Sequence, residues 1–154
     1  MARLLSPAEV LPLIPQQEPF RFVDEILEIG DEKVAGTYRW RPESDFYRGH
    51  FPGHPITPGV ILTETMAQAG VVALGIYLVS LEGEGGLSEL EKIVTVFTDA
   101  NVEFTGTVLP GQRVTTTGRK SFFRRRKLRA EVEMRLDDGT VVASGTLSGM
   151  GVPR

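Results

Sequence analysis

Two histidines and a glutamate lie close together in the stretch GHFPGHPITPGVILTETMAQAG, which spans residues 49–70. His50 and His54 are the only histidines of the chain, and the prolines around them restrict the backbone. Glu64 is the only charged residue in the apolar run 60–81. A histidine can act as a base at neutral pH, and a carboxyl group in apolar surroundings has a raised pKa that suits a general acid. The stretch therefore predicts an acid–base site made of His50 and Glu64.

A backbone donor is predicted at the start of the apolar run. Pro58 and Gly59 stand where a helix should begin. The first N–H groups of a helix have no helical acceptor, so they can bind a carbonyl oxygen or an anion. A base, an acid and such a donor suit the removal of a proton next to a carbonyl group with loss of a neighbouring leaving group. The predicted chemistry is β-elimination or its reverse.

Simpler interpretations of the same residues stay open at this point. His50 could only shape its loop through hydrogen bonds, and Glu64 could belong to a satisfied network with the threonines and glutamine beside it. A metal site is not expected, because histidines four positions apart share a metal on a helix and the intervening Phe-Pro-Gly opposes a helix. The chain also has no cysteine, which excludes thiolate ligands, so we do not predict a metal site.

Length and composition restrict the class of protein. A chain of 154 residues predicts a single domain over 1–154. The absence of cysteine excludes disulfides, and the first residues do not resemble a secretory signal, so we expect a cytoplasmic protein. The run 60–81 is long enough to cross a bilayer, but polar residues cluster in its first turns and no basic flank follows. We expect a core helix there and no membrane insertion.

Hydrophobic patterning and turn residues predict the elements that would position these groups. A capping box at Ser6–Glu9 predicts a short helix over 7–13, and the apolar run predicts a helix from Gly59 to Leu81. A long loop is predicted at 42–58 and a flexible loop at 83–88. Strands are predicted at 20–30, 34–41, 92–97, 101–109, 113–120, 124–136 and 141–150, with a hairpin turn at Asp137-Asp138-Gly139. The sum is an α+β fold in which an antiparallel sheet of about six strands wraps around one long central helix.

The central stretch closely resembles the signature of a known enzyme family. The string HFPGHPITPGV at 50–60, followed by Glu64 and Ala67-Gln68, is similar to that of FabZ-type 3-hydroxyacyl-[acyl-carrier-protein] dehydratases of the FabA/FabZ family. The resemblance continues through PFRFVD at 19–24, VEF at 102–104 and Pro-Gly at 110–111, so it covers most of the chain. It implies a hot-dog fold and a lyase of fatty acid biosynthesis. Such an enzyme converts 3-hydroxyacyl thioesters to trans-2-enoyl thioesters without a cofactor.

The resemblance also implies roles for individual residues. His50 and Glu64 would form the catalytic pair, and the backbone N–H of Gly59 would polarise the thioester carbonyl. Glutamate in place of aspartate points to the FabZ branch. The pair in one site would come from opposite subunits of a homodimer, with further assembly into a trimer of dimers left open. The predicted substrate-binding residues are Gly59, Phe51, Pro58, Gln68 and Phe97.

The periphery of the motif departs from the family pattern. Gln16-Gln17 replace a usual His-Arg pair, and Thr105 and Gln112 stand where an arginine and an aspartate are usual. Thr95 stands near the position of an aromatic gate, although Phe97 is close. We therefore expect the reaction to be kept while the acyl substrate or the pathway differs from housekeeping fatty acid synthesis. The length of the acyl chain is not predicted.

A basic segment follows the apolar half of the chain. Residues 118–129, GRKSFFRRRKLR, hold seven of the seventeen Lys and Arg residues and no acid. Acyl carrier proteins are acidic, so a positive rim would steer one to the site. A solvated strand face is the simpler alternative, and phenylalanines beside arginines also resemble a nucleic-acid stacking platform, which the sequence pI of about 5.5 opposes. The predicted docking residues are Arg124, Arg125, Arg126 and Lys127.

Two other functions compete with the dehydratase. A hot-dog thioesterase would act on the same thioesters with a carboxylate on its central helix, but such enzymes generally lack the histidine loop. A non-catalytic acyl-binding domain would keep the tunnel, yet it would have no need of both His50 and Glu64. Enoyl absorbance and release of free thiol distinguish the three functions.

Overall fold

One antiparallel sheet of six strands curls around a long central helix in the computed structural model, which describes residues 4–154. The helices are α1 (Pro7–Val10, continued by a 3-10 turn at Leu11–Leu13), α2 (Phe46–Gly49), α3 (Gly59–Ser80) and α4 (Glu84–Glu89, continued by a 3-10 turn at Leu90–Lys92). The strands are β1 (Glu25–Ile29), β2 (Lys33–Arg39), β3 (Ile93–Phe104), β4 (Arg113–Arg124), β5 (Lys127–Leu136) and β6 (Val141–Pro153). Their order is β1-β2-β4-β5-β6-β3. The predicted α+β arrangement is confirmed.

The central helix α3 is enclosed because it has no polar stripe to turn toward water. It is long and apolar enough to cross a membrane, but 67% of its most apolar 18-residue stretch is buried inside the fold. The structure ends α3 at Ser80, one residue before the predicted end. Its middle turn, Gln68–Val72, is a π-helix, which the sequence did not predict.

Two glycines let α3 approach the sheet closely. A Cβ added to Gly70 would lie 2.8 Å from Cγ1 of Val132, and one added to Gly118 of β4 would lie 2.7 Å from the carbonyl oxygen of Gly70. Both distances are shorter than van der Waals contact, so any side chain at either position would push the helix off the sheet. The helix half that follows Glu64 is therefore held at a fixed height above β4 and β5.

Three predicted loops or breaks are wrong. The predicted flexible loop at 83–88 is α4, whose buried Gly86 approaches the carbonyl of Val79 too closely for any side chain. The predicted loop at 42–58 contains α2. The two strands predicted at 92–97 and 101–109 form one strand, β3, because a bulge between Phe97 and Asp99 absorbs the polar break without ending the pairing with β6.

The turn between β4 and β5 was also not predicted. It consists of Arg125 and Arg126, with φ of 51° and 64°, and it joins the paired residues Arg124 and Lys127. Two left-handed residues are what a two-residue hairpin requires, but the usual sequence signal is Asn-Gly. The turn is anchored by the N–H of Gly151, which donates to the carbonyl of Arg126 at 2.9 Å.

The strand β3 is a long, apolar edge. It carries Val96, Phe97 and Phe104, which are 45–48% exposed. An edge strand with large apolar groups is a template for pairing with another chain unless charge or a covering element protects it.

Candidate active site

The loop between α2 and α3 orients His50. The Nδ1 atom of His50 lies 2.8 Å from the carbonyl oxygen of Ile56, and the N–H of Ile56 donates to the carbonyl of His50 at 2.9 Å. A carbonyl oxygen can only accept, so Nδ1 must carry the hydrogen, and Nε2 is left with a free lone pair. The ring also stacks on Phe51, with centroids 4.1 Å apart. This tautomer is the one that a base acting through Nε2 needs.

The same loop is fixed from outside. The hydroxyl groups of Tyr47 and Thr57 lie 2.6 Å apart in a buried hydrogen bond, and the N–H of Thr57 donates to the carbonyl of Val108 at 2.8 Å. His54 closes the tip through reciprocal backbone bonds with Phe51, while its side chain is exposed. Within residues 4–154, no group of three or more His, Asp or Glu side chains is arranged to hold a metal ion.

Glu64 lies half-buried on the second turn of α3. Burial raises the pKa of Glu64, and the hydrogen bond from Gln68 opposes this shift in part. The amide nitrogen Nε2 of Gln68 donates to Oε1 of Glu64 at 2.9 Å. The raised pKa that the sequence predicted for this carboxyl is confirmed in direction, and the protonated form is the one that can act as an acid.

Gln68 is fully buried, and its amide group forms hydrogen bonds within the protein. Its Nε2 also donates to the carbonyl of Phe20 at 2.8 Å, and its Oε1 accepts from the N–H of Phe22 at 2.7 Å. Both amide hydrogens are therefore used. The amide group thus holds Glu64 by a hydrogen bond, and the contact of Gln68 with the substrate stays a prediction.

A small cavity of about 30 Å³ lies beside Glu64. Phe97, one of the predicted substrate-binding residues, lines it, as does Gln16 from the segment before β1. The Oε1 atom of Gln16 is buried and has no hydrogen-bond partner among residues 4–154. From the sequence, Gln16 is only a departure from the family pattern, because nothing in the local sequence places it next to Glu64.

The two halves of the predicted catalytic pair do not meet within one chain. In the described residues 4–154 no hydrogen bond joins His50 to Glu64, and His50 does not line the cavity beside Glu64. Pro58 precedes α3, and Gly59 begins it with a Cβ position only 3.2 Å from the ring of Phe104. Gly59 is thus covered by an aromatic side chain of the exposed edge β3.

The basic segment forms the tip of the β4–β5 hairpin. Arg124 and Arg125 are exposed, and Lys127 is half-buried beside them. Arg126 differs from its neighbours, because its guanidinium lies 3.0 Å from Glu82 and 3.8 Å from Glu89. Of the four predicted docking residues, Arg126 is therefore the one that is ion-paired with carboxylates of its own chain.

Comparison with known proteins places this geometry in a family. The model of the FabA-like domain matches residues 14–145. A protein named 3-hydroxyacyl-[acyl-carrier-protein] dehydratase FabZ from Streptococcus pyogenes serotype M5 (strain Manfredo) is 34% identical over 142 residues, which cover 91% of this chain and 94% of that protein. A FabZ of the same name from serotype M3 (strain ATCC BAA-595 / MGAS315) is 33% identical over 144 residues, which cover 91% of this chain and 94% of that protein.

Solved structures with the same fold include dehydratases and thioesterases. A chain of the dehydratase heterocomplex ApeI:P from Xenorhabdus doucetiae superposes with a TM-score of 0.72 at 16% identity, covering 99% of this chain and 94% of that one. A thioesterase from Haemophilus influenzae gives 0.65 at 15% identity, with 99% and 94% covered. At these identities the likeness shows the hot-dog fold alone. Because the family model spans most of the chain and the FabZ relatives exceed 30% identity, the chain belongs to the FabA-like family.

Proposed function

We propose that this protein dehydrates 3-hydroxyacyl-acyl-carrier-protein thioesters to trans-2-enoyl thioesters in the biosynthesis of fatty acids or related acyl chains. The observation that carries the proposal is the state of the two candidate groups. His50 is held with Nε2 free to accept a proton, and Glu64 has a raised pKa beside an apolar cavity. The FabZ relatives, whose names give this reaction, support it.

The two groups have complementary parts in the elimination. Nε2 of His50 takes the proton from C2 of the substrate, and the C–H electron pair forms the C2=C3 double bond. The C3–O bond breaks, and the carboxyl proton of Glu64 passes to the departing hydroxyl group, which leaves as water. The N–H of Gly59 donates to the thioester carbonyl and stabilises the charge that develops there. The step leaves His50 protonated and Glu64 ionised, and no electrons are gained or lost.

We propose that a homodimer assembles each site from two chains. His50 and Glu64 share no hydrogen bond and no cavity in one chain, while the apolar edge β3 offers a surface on which a second chain can pair. Phe97 belongs to both features, because it is exposed on that edge and lines the cavity of Glu64. A second subunit would then bring its own His50 to this cavity. Further assembly into a trimer of dimers stays a prediction.

The acyl carrier protein is the proposed carrier of the substrate. Arg124, Arg125 and Lys127 present positive charge at the tip of one hairpin, which suits an acidic partner. Arg126 lies in the same turn, but its ion pairs with Glu82 and Glu89 leave it less charge to offer. A cytoplasmic location and a single domain over 1–154 remain predictions.

A direct assay tests the proposed reaction. The purified protein is mixed with a 3-hydroxyacyl thioester, and enoyl absorbance and free thiol are followed together. Enoyl formation without thiol release supports the dehydratase. Thiol release without enoyl formation would identify a thioesterase, the activity named for several structural neighbours. If neither signal appears, the protein is a non-catalytic acyl-binding protein.

A further inference from the structure

A second cavity continues the one beside Glu64. It also measures about 30 Å³, and both cavities are lined by Val71, Thr95 and Gly149. On α3 the second cavity is lined by Val71, Gly75, Ile76 and Val79. From the last residues of the π-helical turn onward, Val71, Gly75 and Val79 are spaced by four residues and so lie on one face of the helix. Val71 also lines the cavity beside Glu64, so the two cavities follow α3 from Glu64 to Val79.

Gly75 keeps this face open. A Cβ at Gly75 would have only Cδ2 of Leu128 near it, at 3.9 Å, which is ordinary contact. Gly70, one turn earlier, is different, because its Cβ would collide with Val132 at 2.8 Å. Close packing thus requires glycine at 70 but not at 75, although glycine in a helix interior is unfavourable. The effect of Gly75 is to leave space between the helix and the sheet.

Arg126 stands at the far end of this space. It lines the second cavity with the apolar side chains of Leu90 and Phe123. Its stem packs over Gly151, with Cβ of Arg126 3.6 Å from the position that a Cβ there would take. Its guanidinium reaches away to Glu82, which lies just before α4, and to Glu89, the last residue of α4. Such a side chain presents methylenes to an apolar channel and keeps its charge neutralised outside it.

We propose that Arg126, tethered by Glu82 and Glu89, is the end wall of an acyl-binding channel that starts at Glu64 and passes Gly75, and that this wall limits the length of acyl chain accepted. The inference rests on the proposed function and names the determinant of its substrate class. The occupant is the apolar tail of a 3-hydroxyacyl thioester, since the channel is continuous with the cavity of the candidate acid. A longer tail would have to displace the stem of Arg126, whose position is held by its ion pairs with Glu82 and Glu89.

The test measures kcat/KM on a series of 3-hydroxyacyl thioesters, with butanoyl, octanoyl, dodecanoyl and hexadecanoyl chains. Arg126→Ala shortens the wall, so the length at which kcat/KM falls should move to longer chains. Each additional methylene that leaves water should contribute roughly fourfold. The ratio of the longest to the shortest substrates should thus rise by about tenfold or more, with the butanoyl value unchanged.

Two further variants test the same end wall, one by filling the channel before Arg126 and one by removing the carboxylates that hold Arg126. Gly75→Leu fills the channel before the wall and should reduce activity on the longest substrates about tenfold while sparing the butanoyl thioester. Glu82→Gln with Glu89→Gln releases the guanidinium and should shift the profile in the same direction as Arg126→Ala. Arg113→Ala is the matched control, because it removes an arginine ion-paired with Asp137 at 3.0 Å at the other end of β4. Melting temperatures establish that each variant is folded.

The outcomes separate this inference from the proposed function. Wild-type protein that forms no enoyl product from any thioester would overturn both. Wild-type activity with the same length profile in Arg126→Ala, Gly75→Leu and the double glutamine variant would overturn the end wall alone. A shift in Arg113→Ala equal to that in Arg126→Ala would also overturn it, since the effect would then not come from the channel.

Discussion

At the scale of single residues, the chemistry depends on what holds His50 and Glu64 in their reactive forms. The carbonyl of Ile56 selects the tautomer of His50, and burial favours the protonated form of Glu64. Gln68 fixes the carboxyl group from behind with a hydrogen bond of 2.9 Å. The geometry of the loop thus leaves Nε2 of His50 free of the bond to Ile56, and burial shifts the pKa of Glu64 in the direction that an acid requires.

Substitution of either group should remove the reaction without unfolding the protein. We expect His50→Ala and Glu64→Gln each to reduce kcat by about 10²- to 10⁴-fold, because general acid–base groups contribute that much. His54→Ala is the matched control, since His54 is exposed in the same loop and its side chain takes no part. Enoyl absorbance measures the loss, and wild-type turnover in either variant would exclude the mechanism.

The raised pKa of Glu64 also predicts how stability changes with pH. Between the ordinary glutamate pKa of about 4.3 and the raised folded value, the folded protein holds a proton that the unfolded chain has released. The free energy of unfolding therefore falls as pH rises through this window. Glu64→Gln removes the titration while its amide oxygen can still accept from Gln68. After allowance for partial exposure, we expect similar melting temperatures at about pH 4 and a variant that melts roughly 1–2 °C higher at about pH 8.

Thermal melts of wild type and variant at the two pH values make that comparison. If the variant melts below the wild type at both pH values, ionised Glu64 does not destabilise the folded protein. The direction of the shift could be predicted from one acid in an apolar run. The hydrogen bonds of Gln68 to the backbone of Phe20 and Phe22 could not be predicted, because these residues lie 48 and 46 positions away along the chain.

At the scale of elements, the site depends on one rigid loop, one helix and the edge of one sheet. The helix α3 and most strands could be predicted, since apolar periodicity and the Asp-Asp-Gly turn are local signals. The errors lie where tertiary contacts decide. The glycines at 83–88 predicted a flexible loop, but Gly86 is required for α4 to pack against the end of α3. The continuity of β3 depends on its partner β6, which the local sequence does not reveal.

The β4–β5 hairpin is the element expected to meet the carrier protein. We expect Arg124→Glu with Arg125→Glu to reduce activity on carrier-bound substrate about tenfold and to leave activity on a small thioester analogue unchanged. Salt should weaken the wild type in the same selective way, because exposed charges are screened within about 10 Å at 0.1 M. Steady-state rates on the two substrates give the comparison.

A matched control reverses two charges at the opposite end of the same strands. Arg113→Glu with Arg135→Glu changes the net charge equally but lies far along β4 and β5 from the hairpin tip. This pair should leave the ratio of the two rates near that of the wild type. Equal losses on both substrates in the hairpin variant would mean that the basic segment is only a solvated surface.

At the scale of the whole molecule, the strand β3 ends the sheet and is paired on one side only, with β6. The edge β3 bears three large apolar side chains that are 45–48% exposed, and its Phe104 covers Gly59 at the start of α3. A second chain paired along β3 would bury this surface and bring a second histidine loop toward the first α3. The fold was predictable from the sequence, and the family resemblance implied a site shared between two chains. The structure adds that, within residues 4–154 of one chain, His50 does not line the cavity beside Glu64.

Subunit complementation tests most directly the claim that His50 and Glu64 of different chains form one site. Inactive His50→Ala is mixed with inactive Glu64→Gln under conditions of subunit exchange, and mixed dimers are identified by mass. Each mixed dimer would hold one doubly substituted site and one intact site, so we predict a return of roughly half the wild-type enoyl-forming activity per mixed dimer. Confirmed exchange without any recovered activity would show that acid and base act from the same chain, and it would contradict the shared site.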